Sequence, residues 1–206
     1  MVMLPPLRKE PKQSRSRLLL KAVKEACLII LRDEGVKHLT IERLVEVAGV
    51  AVGSVYQYFP NMEAVVAELY KDLAYEHAKF DADFIAGLSE SSGEEVIANV
   101  VAFHIDFHRQ LLTLHFDFHC KYHRCFDLHQ WIYEANELAE SSTDILMHII
   151  DNKAADHYGL ALSDKTFIIL RVLASIVMDM LDERPEMIMD PNIEDTLVRM
   201  CMSILR

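Results

Sequence analysis

The chain has 206 residues, 51% of them hydrophobic, with six Gly, six Pro and a formal net charge of −11. That length and apolar content can bury a proper core, in one large domain or in a small and a medium one, while so little turn punctuation weighs against a strand-rich fold and towards helices. No apolar run reaches the roughly 18 residues of a membrane span, and the opening stretch MVMLPPLRKEPKQSRSR puts charge and proline where a secretory signal needs an apolar core, so a soluble, cytoplasmic chain is expected.

Residues 1–13 contain Pro5, Pro6 and Pro11 and no apolar period, which predicts a disordered tail. That tail is basic. Residues 1–24 hold Arg8, Lys9, Lys12, Arg15, Arg17, Lys21 and Lys24 against a single acid, Glu10. The first sixty residues carry +4 in a chain of −11, so the rest carries −15. A basic head on an acidic body turns the head towards a polyphosphate; a basic run that is merely a solvated tail is the alternative.

The predicted elements then follow one another as helices. Leu19, Val23, Ala26, Cys27 and Ile30 recur at three- and four-residue spacing, giving a helix from about Ser14 to Glu34 that Gly35 ends. Thr40 caps a second helix, Ile41 to Ala48, with Glu42 in its first turn. Gly49 ends it, and a short third helix runs through Ser54 and Tyr56 to about Phe59, where Pro60 breaks it. Asn61 caps a fourth helix from Met62 to about Ile85, and LSESSG over 88–93 is a loop. Ser92 and Glu95 form a capping box for a fifth helix to about Arg109, and a shorter helix covers Leu112 to Tyr122. Asp127 with Gln130 opens a helix through Trp131 to about His157, which Gly159 ends. Ser163 caps a helix over Asp164–Leu181, and Asp190 with Pro191 opens the last one, to Leu205. No strand-like alternation and no internal repeat interrupts this pattern. The expected fold is all-α, with a helix-turn-helix domain over 14–60 and a helical body over 61–206.

Residues 40–59, TIERLVEVAGVAVGSVYQYF, place two short helices around a tight glycine turn. The first must pack Ile41, Leu44 and Val45 on Val50 and Val55 of the second to hold it rigidly, and Gly49 permits the sharp turn. The second helix is then free to enter a major groove. Thr40, Ala48-Gly49-Val50, Gly53-Ser54-Val55-Tyr56, Tyr58-Phe59-Pro60 and Glu63-Ala64-Val65 stand in register with the tetracycline-repressor (TetR) family, which this stretch resembles, as do helix order and spacing over 17–70.

The resemblance implies a dimeric, ligand-responsive repressor of a palindromic operator in double-stranded DNA. Thr40 would offer its helix N-terminus to a phosphate. Ala51, Val52, Ser54, Tyr56 and Gln57 would lie on the recognition helix, with Gln57 suited to pair with an adenine edge. Tyr56 and Tyr58 would bond phosphates through their hydroxyls, and Arg15 and Arg17 would reach the backbone or minor groove. The last two helices, about 163–182 and 191–205, would build the homodimer interface, with Met178, Met180, Met200 and Met202 packing it. This sequence departs from the family at Met62, where a Lys is usual, at Ala51, where a capping Ser or Thr is common, and at Leu20 and Lys24.

The body carries His104, His108, His115, His119, His123 and His129 among Phe103, Phe107, Phe116 and Phe118. His104/His108, His115/His119 and His119/His123 fall at i, i+4, a spacing that permits a shared metal. The preferred reading is instead an aromatic pocket for a small hydrophobic or aromatic effector. Phe103, Phe107, Leu111, Phe118, Tyr122, Trp131 and Met147 would supply the walls, and His104, His108 or His119 the polar contact. Aromatics that only fill the core are the bland alternative. Cys27, Cys120, Cys125 and Cys201 are scattered without a CxxC pair, as free thiols of a reducing compartment would be. No nucleophile elbow, phosphate loop or HExxH occurs, so neither an enzyme nor a cofactor is expected. A helical ligand-binding protein that no longer binds DNA is the rival reading from another class.

Overall fold

The structure, a computed structural model, describes residues 3–88, 91–126 and 162–205, with the side chains of 78–86 and 162–163 left out of the description. Among the described residues every regular element is a helix. These are α1 (Ser14–Asp33), α2 (Ile41–Ala48), α3 (Val52–Tyr56), α4 (Met62–Gly87), α5 (Gly93–Tyr122), α6 (Leu162–Glu183) and α7 (Ile193–Leu205), with 3-10 turns at Val36–His38, His123–Cys125 and Pro185–Met189. None of the described helices is long and apolar enough to cross a membrane. The expected helix through Trp131 to about His157, its Asp127/Gln130 cap, Gly159 and His129 lie outside the described residues, and Ser163, expected to cap the next helix, falls inside α6, which already begins at Leu162.

Two compact units form. The head unit is Met1–Leu73 with Leu111–Cys125, and the body unit is Ala74–Gln110 with Phe126–Arg206. The head thus holds more than its first three helices: it includes the start of α4 and the end of α5. In α1 the apolar stripe Leu20, Val23, Ala26, Cys27, Ile30 and Leu31 is buried. Thr40 Oγ1 accepts the Arg43 N–H at 3.2 Å and caps α2. Gly49 closes α2 in the left-handed region, at φ 66°, where a side chain would be strained. Asn61 Oδ1 accepts the Ala64 N–H at 2.9 Å and opens α4. Buried Tyr70 donates its hydroxyl to Leu111 O at 2.6 Å and meets Phe118 edge-on at 5.0 Å.

In the body unit Ser92 and Glu95 exchange bonds as a capping box, at 2.6 and 3.3 Å, and start α5. Ile169, Leu173, Val177 and Leu181 repeat every fourth residue along α6 and are buried, as are Ile193, Leu197 and Cys201 along α7. Arg109 reaches Glu194 at 2.7 Å and Ile188 O at 3.3 Å, which ties α5 to the Pro185–Met189 turn and to α7. Lys165 caps the other end of α7 through Leu205 O at 3.1 Å.

Three local outcomes differ from the sequence pattern. α3 stops at Tyr56, and a tighter turn carries the chain to Phe59, with Tyr58 and Phe59 N–H both donating to Val55 O. α7 begins at Ile193, after a turn in which Asp190 Oδ1 accepts the Asn192 N–H at 2.8 Å. The two helices expected on either side of residue 110 are continuous there. Their break falls at His115, which leaves helical geometry (φ −156°, ψ 88°) and whose Nδ1 accepts the Phe118 N–H at 3.3 Å. An imidazole thus caps the last segment of α5 as Ser or Asp would. Removing the α4 cap with Asn61→Ala is expected to cost about 1 kcal/mol. Opening a cavity with Leu44→Ala, at a side chain of 0% exposure, is expected to cost about 2–5 kcal/mol, both read from urea midpoints at unchanged slope.

Candidate nucleic-acid interface

α3 has five residues and no side-chain cap at Ala51, too little to hold a helix by itself. Its position comes from Val55 and Phe59, each 1% exposed, and from Leu44 of α2, all in the head's core. With one face buried, the other is left out. Val52 and Tyr56 are 41% and 45% exposed, Ala51 and Gln57 are exposed, and Ser54 and Tyr58 are half-buried. A recess of about 210 Å³ lies beneath Tyr56, lined among others by Thr40, Ile41, Val55, Phe59 and Met62. Thr40 is therefore brought beside Val55 and Tyr56 of α3, and Met62 lines the same recess. Arg15 and Arg17 lie exposed in the first turn of α1.

The head's charges sort themselves. Arg43 grips Glu34 through Nε, at 3.1 and 3.0 Å, and Nη2, at 2.7 Å, and holds Glu46 at 2.9 Å. The Arg43 hydrogen bonds keep the Glu34 carboxyl below the usual carboxylate range. Lys121 and the Tyr122 hydroxyl do the same for Glu63, at 2.9 and 3.0 Å. Lys24 pairs with Asp72, and Lys21 with Glu25 at 3.6 Å. Arg8, Lys9, Lys12, Arg15, Arg17, Arg32 and Lys37 form no ion pair with any described residue and are exposed. Six of the head's ten acids, Glu25, Glu34, Glu46, Glu63, Glu68 and Asp72, are held in ion pairs among the described residues, and seven of its cations are not.

The N-terminal segment holds a contact that sequence pattern did not reveal. Arg8 N–H donates to Tyr58 O at 2.7 Å, and Lys9 Nζ stands 4.7 Å from the Tyr58 ring centroid. Nothing in the tail's composition singles out Tyr58 as a partner.

The aromatic and histidine set expected to line an effector pocket falls into both units. Phe103, His104, Phe107 and His108 belong to the body unit, while Leu111, Phe118, His119 and Tyr122 belong to the head unit; Trp131 and Met147 lie outside the described residues. In the body unit His77, which the sequence reading passed over, stacks on Phe103 at 3.9 Å and Phe107 at 4.8 Å. Its position three residues after buried Ala74 on α4 is the signal that was available. His77 Nε2 is buried with no hydrogen-bond partner among the described residues, and burial pushes the ring's pKa down to about 4. His104 Nδ1 lies 3.2 Å from Val100 O, and His108 is 1% exposed. In the head unit burial pushes His119 down to about 3, and its ring lies 6.5 Å from that of His123. Among the described residues no three His, Cys, Asp or Glu side chains gather as metal ligands.

Buried neutral imidazoles make the fold acid-sensitive. The unfolded chain takes up these protons near pH 6.5, but folded His77 resists them until about pH 4. Stability is therefore complete above about pH 6.5 and is lost as pH falls towards 4. The thermal midpoint is expected to drop between about pH 7 and pH 5, and His77→Phe, which keeps the stack and removes the titrating nitrogen, is expected to make that drop shallower in circular dichroism.

Residues 25–69 match the family model described as bacterial regulatory proteins, tetR family. An uncharacterised HTH-type transcriptional regulator of Bacillus subtilis (strain 168), YxbF, is 34% identical over 51 residues, which are 25% of this chain and 13% of that protein. The match thus spans about an eighth of the relative's length. A crystal structure of a TetR transcriptional regulator from Rhodococcus sp. RHA1 aligns over 93% of this chain and 98% of its own, with 15% identity and a TM-score of 0.44. Over residues 25–69, the helix-turn-helix of its head, the chain is similar to the tetR family of bacterial regulatory proteins.

Proposed function

We propose that the protein is a homodimeric transcriptional repressor, released from a palindromic operator when a small hydrophobic or aromatic effector binds its body. The observation that carries this reading is the exposed face of α3, backed by buried Leu44, Val55 and Phe59, in a head whose exposed cations without an ion pair outnumber its acids without one among the described residues. Val52, Ser54, Tyr56 and Gln57 are side chains that can approach base edges and phosphates, with Ala51 at the helix entry, Thr40 beside them and Arg15, Arg17 and Tyr58 serving the backbone.

Pairing runs through α6 and α7. Half-exposed Ile176, Met180 and Met187 and exposed Phe167 and Met189 leave apolar area outside the unit's own core, which supports a partner there. Two heads held this way read half-sites about one DNA turn apart. The effector reading is supported by the stacked His77, Phe103 and Phe107, with His104 and His108 on the same helix as the two Phe. Neutral His77 Nε2 has no hydrogen-bond partner among the described residues, and a polar group on an aromatic ligand would supply one. Phe118, His119, Leu111 and Tyr122 offer the corresponding apolar and imidazole chemistry in the head unit. The effector needs only different affinities for the two head spacings, and α4 and α5 each contribute residues to both units. The protein acts by binding rather than catalysis, in a cytoplasm that keeps its four thiols reduced.

The test is selection of a preferred duplex from a random-sequence pool, followed by gel shift. Gln57→Ala is expected to lower discrimination at one base pair by about 1–3 kcal/mol. Tyr56→Phe is expected to weaken all duplexes alike. Failure of the wild-type chain to retain any duplex at low salt overturns the reading.

A further inference from the structure

Three of the seven head cations that form no ion pair with a described residue lie in a short segment ahead of the helix-turn-helix. Arg8, Lys9 and Lys12 are exposed and pair with no carboxylate of the described residues, and Glu10 is the one acid among them. The segment is nonetheless placed. The Arg8 amide is bonded to the Tyr58 carbonyl at 2.7 Å, and the Lys9 ammonium stands over the Tyr58 ring. Tyr58 follows Gln57 directly, so the anchor lies at the exit of the recognition helix. Pro5, Pro6 and Pro11 restrict the backbone on both sides of it, which lowers the entropy lost in holding the segment in one path. The ring contact leaves the charge of Lys9 unneutralised, because a π face carries none.

We infer that residues 8–12 are an arm pinned to Tyr58 that adds its own phosphate contacts beside the base pairs read by α3. The inference rests on the DNA-binding reading above. Such contacts raise affinity without reading sequence, and they set the salt dependence.

Anisotropy titrations across a salt series, with the full chain and the duplex it selects from a random pool, test this. Each neutralised phosphate contributes roughly 0.9 to the slope of log affinity against log salt. Arg8→Gln/Lys9→Gln is expected to lower that slope by about 2 and to weaken binding, with the order of preferred sequences unchanged. Lys21→Gln, a charge on α1 already paired with Glu25, is expected to leave the slope as it was. Both replaced side chains are exposed, so folding is preserved, and circular dichroism checks it. An unchanged slope in the double variant overturns the arm and leaves the regulator reading standing. Tighter binding by the double variant also overturns it, since the segment would then cover the interface. A wild-type chain that binds no duplex removes the DNA-binding reading and the arm with it.

Discussion

Everything proposed for the head depends on how a five-residue helix is held. α3 is too short to repay its own nucleation and has no capping side chain at Ala51. Burial of Val55 and Phe59 with Leu44 replaces that missing self-stability. Gly49 makes the arrangement possible, since its left-handed backbone lets α2 end and the chain turn at once into α3. The recognition face is therefore whatever this packing leaves outside, and its side chains need no other support.

Charge follows a similar economy. A chain of −11 looks unsuited to a polyanion, yet Arg43 absorbs Glu34 and Glu46, and Lys121 with Tyr122 absorbs Glu63. Glu34, Glu46 and Glu63 are occupied by partners, and the cations of residues 8–17 form no ion pair with a described residue. The net charge of the whole chain is the wrong quantity for judging the head; what matters is which charges remain unmatched after folding.

Caps and glycine stops were legible because their chemistry is local. Thr40, Asn61 and the Ser92/Glu95 box bond as their spacing implies, and Gly35 and Gly49 take the positive φ that ends a helix. The recognition motif was legible because its glycine, tyrosines and apolar spacing carry their own geometry. The break in α5 was not, since imidazole is rarely counted among capping groups and nothing but a bond to Phe118 gives His115 that role. The histidine run shows the limit of periodicity. Spacing of four puts rings on one face, but it does not say that His104 and His108 fold with one unit and His115, His119 and His123 with another. The Arg8–Tyr58 bond and the His77 stack join residues far apart in sequence, where pattern is silent.

The missing cap at Ala51 also has a kinetic side. Amides in the first turn of α3 lack a side-chain acceptor, so this segment opens without waiting for the head to unfold. Its amide protons are expected to exchange with solvent through such local openings faster than those of α1 and the first turns of α4, which carry buried side chains. The segment offered for recognition is thus anchored by its buried face and uncapped by any side chain at its entry, and a bound polyanion that accepts those amides would supply the missing cap.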